Sequence, residues 1–113
     1  MTPASSENDA AAGRLCVGDL TIDYDRRRVV RLGAEIRLTP KEFELLSLLA
    51  RHADCVLTHR RILTEIWGAN AVDQPQHVWV LVRQLRRKIG DDVTDPRYVA
   101  TERGMGYRWI YES

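Results

Sequence analysis

Two Leu-Thr steps, Leu38-Thr39 and Leu57-Thr58, each stand directly before a stretch with helical apolar spacing. This doubled start signal predicts two successive helices flanking a short link. At the first step Thr39 can cap the helix and Glu42 can close a capping box. Pro40 suits the first helical position, where its missing N–H would have no partner anyway, and Leu38 can staple onto Phe43. Leu45, Leu46, Leu49 and Ala50 continue the stripe. The second helix starts at Thr58 with Leu57 and Ile62 as its staple. It carries Ile62, Leu63, Ile66 and Trp67 on one face and ends at Gly68. "ADCV" reads as a short link between the two.

A third and longer helix is predicted over "QPQHVWVLVRQLRRKI" up to Gly90, capped by Asp73 with Gln76 three residues on. At about 100° per residue, Val78, Leu81, Val82, Leu85 and Ile89 share one face, and Gln76, Val80, Arg83 and Arg87 lie opposite. Before the helices, Leu20, Ile22 and Tyr24 alternate, "RRVVRL" follows a turn at Asp25, and Ile36 alternates with Leu38 beyond Gly33. Three or four antiparallel strands are therefore predicted. After the Asp95-Pro96 turn, "YVATERGMGYRWIY" reads as two strands joined around Gly104 to Gly106. Residues 1–13 are rich in Ala, Ser and Asp without apolar periodicity and read as a flexible linker, leaving 14–113 as one α+β domain.

Net charge is only +1, so bulk charge announces no polyanionic partner, but its distribution does. The third helix holds Arg83, Arg86, Arg87 and Lys88 with no acidic residue, and the aspartates cluster after it in "GDDVTDP". Such a helix fits the major groove of B-DNA, where arginine pairs with guanine, glutamine with adenine, and an aliphatic group meets the thymine methyl. Gln76, Val80, Arg83, Gln84 and Arg87 supply those chemistries. A basic helical face is often simply solvated. Val80 in the middle of it, with Trp79 alongside, argues for contact.

"TERGMGYRW" is no phosphate loop, because the residues after Gly106 are strand-like rather than helical. A hairpin tip fits, its glycines permitting positive φ, with Arg103 placed to enter a narrow minor groove. His52, Cys55 and His59 have spacings that zinc could use, but structural zinc needs four ligands and only the distant Cys16 or His77 could complete the set. No metal or cofactor is expected, and Cys55 reads as a small apolar group buried between helices. Cys16 and Cys55 read as reduced thiols of a cytoplasmic protein, and no apolar run approaches the ~20 residues of a membrane span. Glu42 and Glu44 serve capping and solvation, and no Ser, His and Asp arrangement suggests an enzyme.

"LTPKEFELLSLLARHADCVLTHRRILTEIWG", "VRQLRRKIG" and "TERGMGYRW", in that order, resemble the winged helix-turn-helix effector domains of the OmpR/PhoB class of bacterial response regulators. Within the class, "WGANAVDQPQHVWVLVRQLRRK" and the glutamate of "TERGMGYR" are more similar to the potassium-transport (Kdp) regulators. The resemblance implies a four-stranded sheet, a recognition helix and a wing ending in Arg103. Trp67, Arg83, Arg86, Thr101 and Tyr107 would hold DNA phosphates, and Gln76, Val80, Gln84 and Arg87 would face bases. Gly68, Ala69, Asn70, Ala71, Val72, Asp73 and Gln74 would form the loop that meets RNA polymerase in this class. Gln76 and Leu81 replace an arginine and a histidine of some relatives, so their base preference does not transfer. The class also carries an upstream receiver domain that this chain lacks, so an isolated effector domain is expected, with tandem pairing on DNA left open. The alternative is a protein-interaction winged helix that docks RNA polymerase or another protein through Trp79 and Val80.

Overall fold

Alternating side chains and short turns shape the N-terminal part of the computed structural model, which describes residues 13–69 and 75–110. The expected linker (residues 1–12 of it), Asp73 as a cap and loop positions 70–74 lie outside the described residues. Strands β1 (Arg14–Val17), β2 (Leu20–Asp23), β3 (Arg28–Arg31) and β4 (Ala34–Ile36) form an antiparallel sheet in chain order. Ile22 pairs with Val29, and both are buried together with Leu20, so one face of the sheet is apolar and covers the helices.

Helix α1 (Pro40–Arg51) begins with the expected capping box. The Glu42 N–H donates to Thr39 Oγ1 at 3.2 Å, and the Thr39 N–H donates to Glu42 Oε1 at 2.9 Å. Glu42 departs from its expected solvated role. It is only 2% exposed, and Lys88 Nζ donates to its Oε1 at 2.7 Å, tying the start of α1 to the end of the third helix. Burial alone would push this carboxyl up, but Lys88 and the Thr39 N–H outweigh it and hold it below the ordinary glutamate value.

A group depressed in the folded state stabilises above its unfolded pKa and loses that contribution as pH falls through the folded one. Melting temperatures of the wild type and Glu42→Gln are therefore expected to differ at neutral pH and to converge on acidification. A gap that persists unchanged down to about pH 3 contradicts this.

Between α1 and helix α2 (His59–Trp67), the link holds a strand that the sequence does not announce, β5 (Val56–Thr58). Thr58 ends this strand and caps α2. Its extended backbone (φ −70°, ψ 158°) suits both roles, and its Oγ1 accepts the Arg61 N–H at 3.1 Å. Cys55 is exposed rather than buried between helices, because it belongs to the turn entering β5 while Leu57 is the residue turned inward. Cys16 is also a free, exposed thiol.

Helix α3 (Pro75–Ile89) packs on α1 and α2 with Val78, Leu81, Val82, Leu85 and Ile89 buried, the face that its spacing predicts. Strands β6 (Val99–Glu102) and β7 (Gly106–Trp109) form the C-terminal hairpin, hereafter the wing, in a sheet of order β5-β7-β6. Trp109 is fully buried, its ring centroid 5.4 Å from that of Tyr98. The Asp19 N–H donates to the Tyr98 hydroxyl at 3.2 Å, which joins the N-terminal sheet to the base of the wing. Among the described residues no helix is long and apolar enough to cross a membrane.

Candidate nucleic-acid interface

The interface is built from the outward face of α3 and the hairpin beside it. Gln76, Val80, Arg83 and Arg87 are exposed and Gln84 is half-buried, so the residues expected to face bases do share the open face. Among the described residues the side chains of Arg83 and Arg87 on α3 and of Arg103 on the hairpin make no hydrogen bond or ion pair, which leaves three guanidinium groups without a carboxylate partner. Trp79 and Val80 are 55% and 53% exposed, an apolar pair between those cations and the N-terminal end of the helix.

Arg86, expected at a phosphate, turns inward. It is 8% exposed, and its guanidinium donates to Val99 O at 2.9 Å and to Thr101 Oγ1 at 2.7 Å. Its Cζ also lies 5.7 Å from the Tyr107 ring centroid. Burial lowers the Arg86 pKa and raises that of Tyr107; each group's field on the other works against its shift. Tyr107 is itself buried and meets His59 edge-on at 5.3 Å. Arg86, Thr101 and Tyr107 therefore come together as a joint that fixes the wing against α3 and the start of α2. Thr101 stays exposed.

Trp67 plays a related part at the other end of α3. Its ring lies 5.5 Å from that of His77, and Lys41 Nζ stands 5.6 Å from its centroid, so α1, α2 and the first turn of α3 meet around one indole. A shallow groove of about 260 Å³, lined by Trp67, His77, Val80, Leu81 and Gln84, runs beside it. Gly68 and Ala69 are exposed, Gly68 as the C-cap of α2 at φ 100°.

At the wing tip Arg103, Gly104 and Met105 are exposed. Gly104 has the left-handed φ (75°) expected of a tip glycine, but Gly106 does not. Gly106 is required for a different reason: a Cβ there would run into the Leu57 carbonyl and the Thr58 backbone of β5. The wing strands are also braced from outside, because Arg108 donates to Glu102 at 2.8 Å and to Asp54 at 3.0 Å.

The role of Asp91 is not evident from its place in the acidic run. Its carboxylate accepts the backbone N–H groups of Arg97 at 2.7 Å, Tyr98 at 3.2 Å and Val99 at 2.9 Å, fastening the entry of β6 to the end of α3. Its position just past the helix-ending Gly90 was the one available signal. His52, Cys55 and His59 form no ligand group. His52 instead bonds Leu48 O through Nδ1 and Arg61 through Nε2, and among the described residues no three His, Cys, Asp or Glu side chains converge on a metal position.

Comparisons with known proteins agree on the family and the fold. In sequence the chain is 40% identical over 92 residues to the KDP operon transcriptional regulatory protein KdpE of Escherichia coli K12, covering 81% of this chain and 41% of that protein. It is 40% identical over 100 residues to the DNA-binding response regulator MtrA of Mycolicibacterium smegmatis, covering 88% and 44%. The chain thus spans about two fifths of the length of these curated relatives.

In structure it is similar to the Klebsiella pneumoniae RstA DNA-binding domain solved in complex with the RstA box, with TM-score 0.77, 30% identity, and 86% and 96% of the two chains covered. It is similar also to the Thermotoga maritima OmpR/PhoB homolog DrrB, with TM-score 0.79, 36% identity, and 87% and 44% covered. The winged helix-turn-helix fold is common to them. The family described as "Transcriptional regulatory protein, C terminal" matches residues 33–109, and the chain belongs to it.

Proposed function

We propose that this chain is the sequence-specific, double-stranded DNA-binding effector domain of a two-component response regulator. In this reading α3 lies in the major groove and Arg103 at the wing tip enters the adjoining minor groove. The observation that carries it is the pairing of an exposed, unneutralised arginine face on α3 with a hairpin locked to that helix through Arg86. Two groups that must reach neighbouring grooves are thereby held in fixed relation.

Gln76, Val80, Arg83, Gln84 and Arg87 would meet bases. Phosphates would be held by Arg83, Thr101 and the surroundings of Trp67, with Arg86 and Tyr107 acting chiefly through the wing joint. A domain of this kind does no chemistry of its own and works in the cytoplasm. Likeness to KdpE extends the reading to potassium-transport genes, and likeness to the class extends it to RNA polymerase contact through residues 68–74 and to pairing in tandem on DNA.

Selection of bound duplexes from a random pool tests this. One enriched motif, in tandem copies if domains pair, is the expected result. A pool that stays random after repeated selection overturns specific DNA binding and favours the protein-docking alternative, for which the exposure of Trp79 and Val80 is the supporting feature.

A further inference from the structure

We infer that Trp79, with Val80, reads thymine methyl groups in the bound DNA, which makes Trp79 a specificity-determining residue that no motif assigns. The inference rests on the DNA-binding reading above. The three tryptophans of the chain have different surroundings. Trp109 is buried against Tyr98, and Trp67 meets His77 and Lys41, so both have partners within the fold. Trp79 is 55% exposed on a well-formed helix, although an indole is among the side chains that gain most from leaving water.

Its position on α3 narrows what it can meet. Trp79, Arg83 and Arg86 fall on one line of the helix at i, i+4 and i+7. Arg86 is bonded to Val99 and Thr101, so that line runs along the flank facing the wing. The opposite flank is marked by His77, whose ring meets Trp67. Val80, Gln84 and Arg87 run between the two.

The open face is therefore divided along its length, with Trp79 and Val80 in its first half and the guanidinium groups of Arg83 and Arg87 in its second. In the major groove the apolar feature on the base edges is the thymine C5-methyl, which sits toward the groove wall formed by its own strand. A flat ring on the flank of the helix meets that wall, while arginines farther along donate to guanine O6 and N7. The half-site is accordingly thymine-bearing under the start of α3 and guanine-bearing under its end.

The probe is the duplex enriched from a random pool, remade with each thymine in turn replaced by uracil. That change removes one methyl and keeps every donor and acceptor. Wild-type binding is expected to weaken about three- to fivefold at one or two thymines of the half-site. In Trp79→Ala and Val80→Ala that sensitivity is expected to disappear. Weakening by 7-deazaguanine, the salt slope and the melting temperature should persist, because neither side chain is charged or buried.

Indifference to uracil at every position, unchanged sensitivity in Trp79→Ala, or an enriched half-site without thymine overturns the inference. If such a duplex is enriched and sensitive to 7-deazaguanine but indifferent to uracil, the inference alone fails. If no duplex is enriched, the DNA-binding reading falls with it.

Discussion

An Arg83→Ala/Arg103→Ala variant is expected to bind the enriched duplex about 30- to 1000-fold more weakly than the wild type while melting within a few degrees of it. Each side chain is exposed and, among the described residues, makes no hydrogen bond or ion pair, so its removal leaves no buried group unsatisfied. Each is expected to contribute about 1–2 kcal/mol to the complex, Arg83 from the helix and Arg103 from the wing. They act in different grooves, so their losses add.

The single variants separate the two roles. Arg83→Ala weakens the core of the half-site, whereas Arg103→Ala weakens A/T-rich flanks, where a narrow minor groove concentrates negative potential. Competition binding against duplexes altered in core or flank reads the difference. Equal losses at both for Arg103→Ala contradict insertion of the wing, and an undiminished affinity of the double variant contradicts the interface as a whole.

Gly106→Val is expected to damage the fold severely, lowering the melting temperature by about 15 °C or more, a cost of about 3–5 kcal/mol. The new side chain would meet backbone of β5, the Leu57 carbonyl and Thr58 Cα, which cannot swing aside as a flexible side chain could. Relief requires β5 to part from β7. That undoes the pairing of Val56, Leu57 and Thr58 with Arg108, Tyr107 and Gly106, and it also disturbs the cap of α2 at Thr58. Gly104→Ala at the tip is the contrast. Nothing lies within 4 Å of a Cβ there, so only the left-handed φ is penalised, at about 1 kcal/mol. Comparable melting temperatures for the two variants contradict this account of Gly106.

What the sequence made legible was local. Thr39 and Glu42 cap a helix through bonds three residues apart, and the apolar spacing of α3 fixes its buried face within a single helix. The exposed candidates Gln76, Val80, Arg83, Arg87 and Arg103 followed from the same periodicity and from one tight turn. What the sequence concealed depends on partners distant along the chain. β5 is three residues long and exists as a strand because β7 pairs with it. Glu42 resembles any capping glutamate until Lys88 is folded against it. Arg86 resembles its exposed neighbours Arg83 and Arg87, yet the carbonyl of Val99 and the hydroxyl of Thr101 draw it inward. A helical wheel already set Arg86 beside the buried stripe, at the border where either orientation satisfies the spacing.

Affinity for the enriched duplex and for a scrambled duplex of equal length, measured across a series of salt concentrations, tests specific DNA recognition most directly. For both duplexes log affinity should fall with log salt by about 0.9 per phosphate neutralised, and the enriched duplex should stay on the order of a thousandfold tighter throughout. Two coincident lines, or binding indifferent to salt, would contradict it.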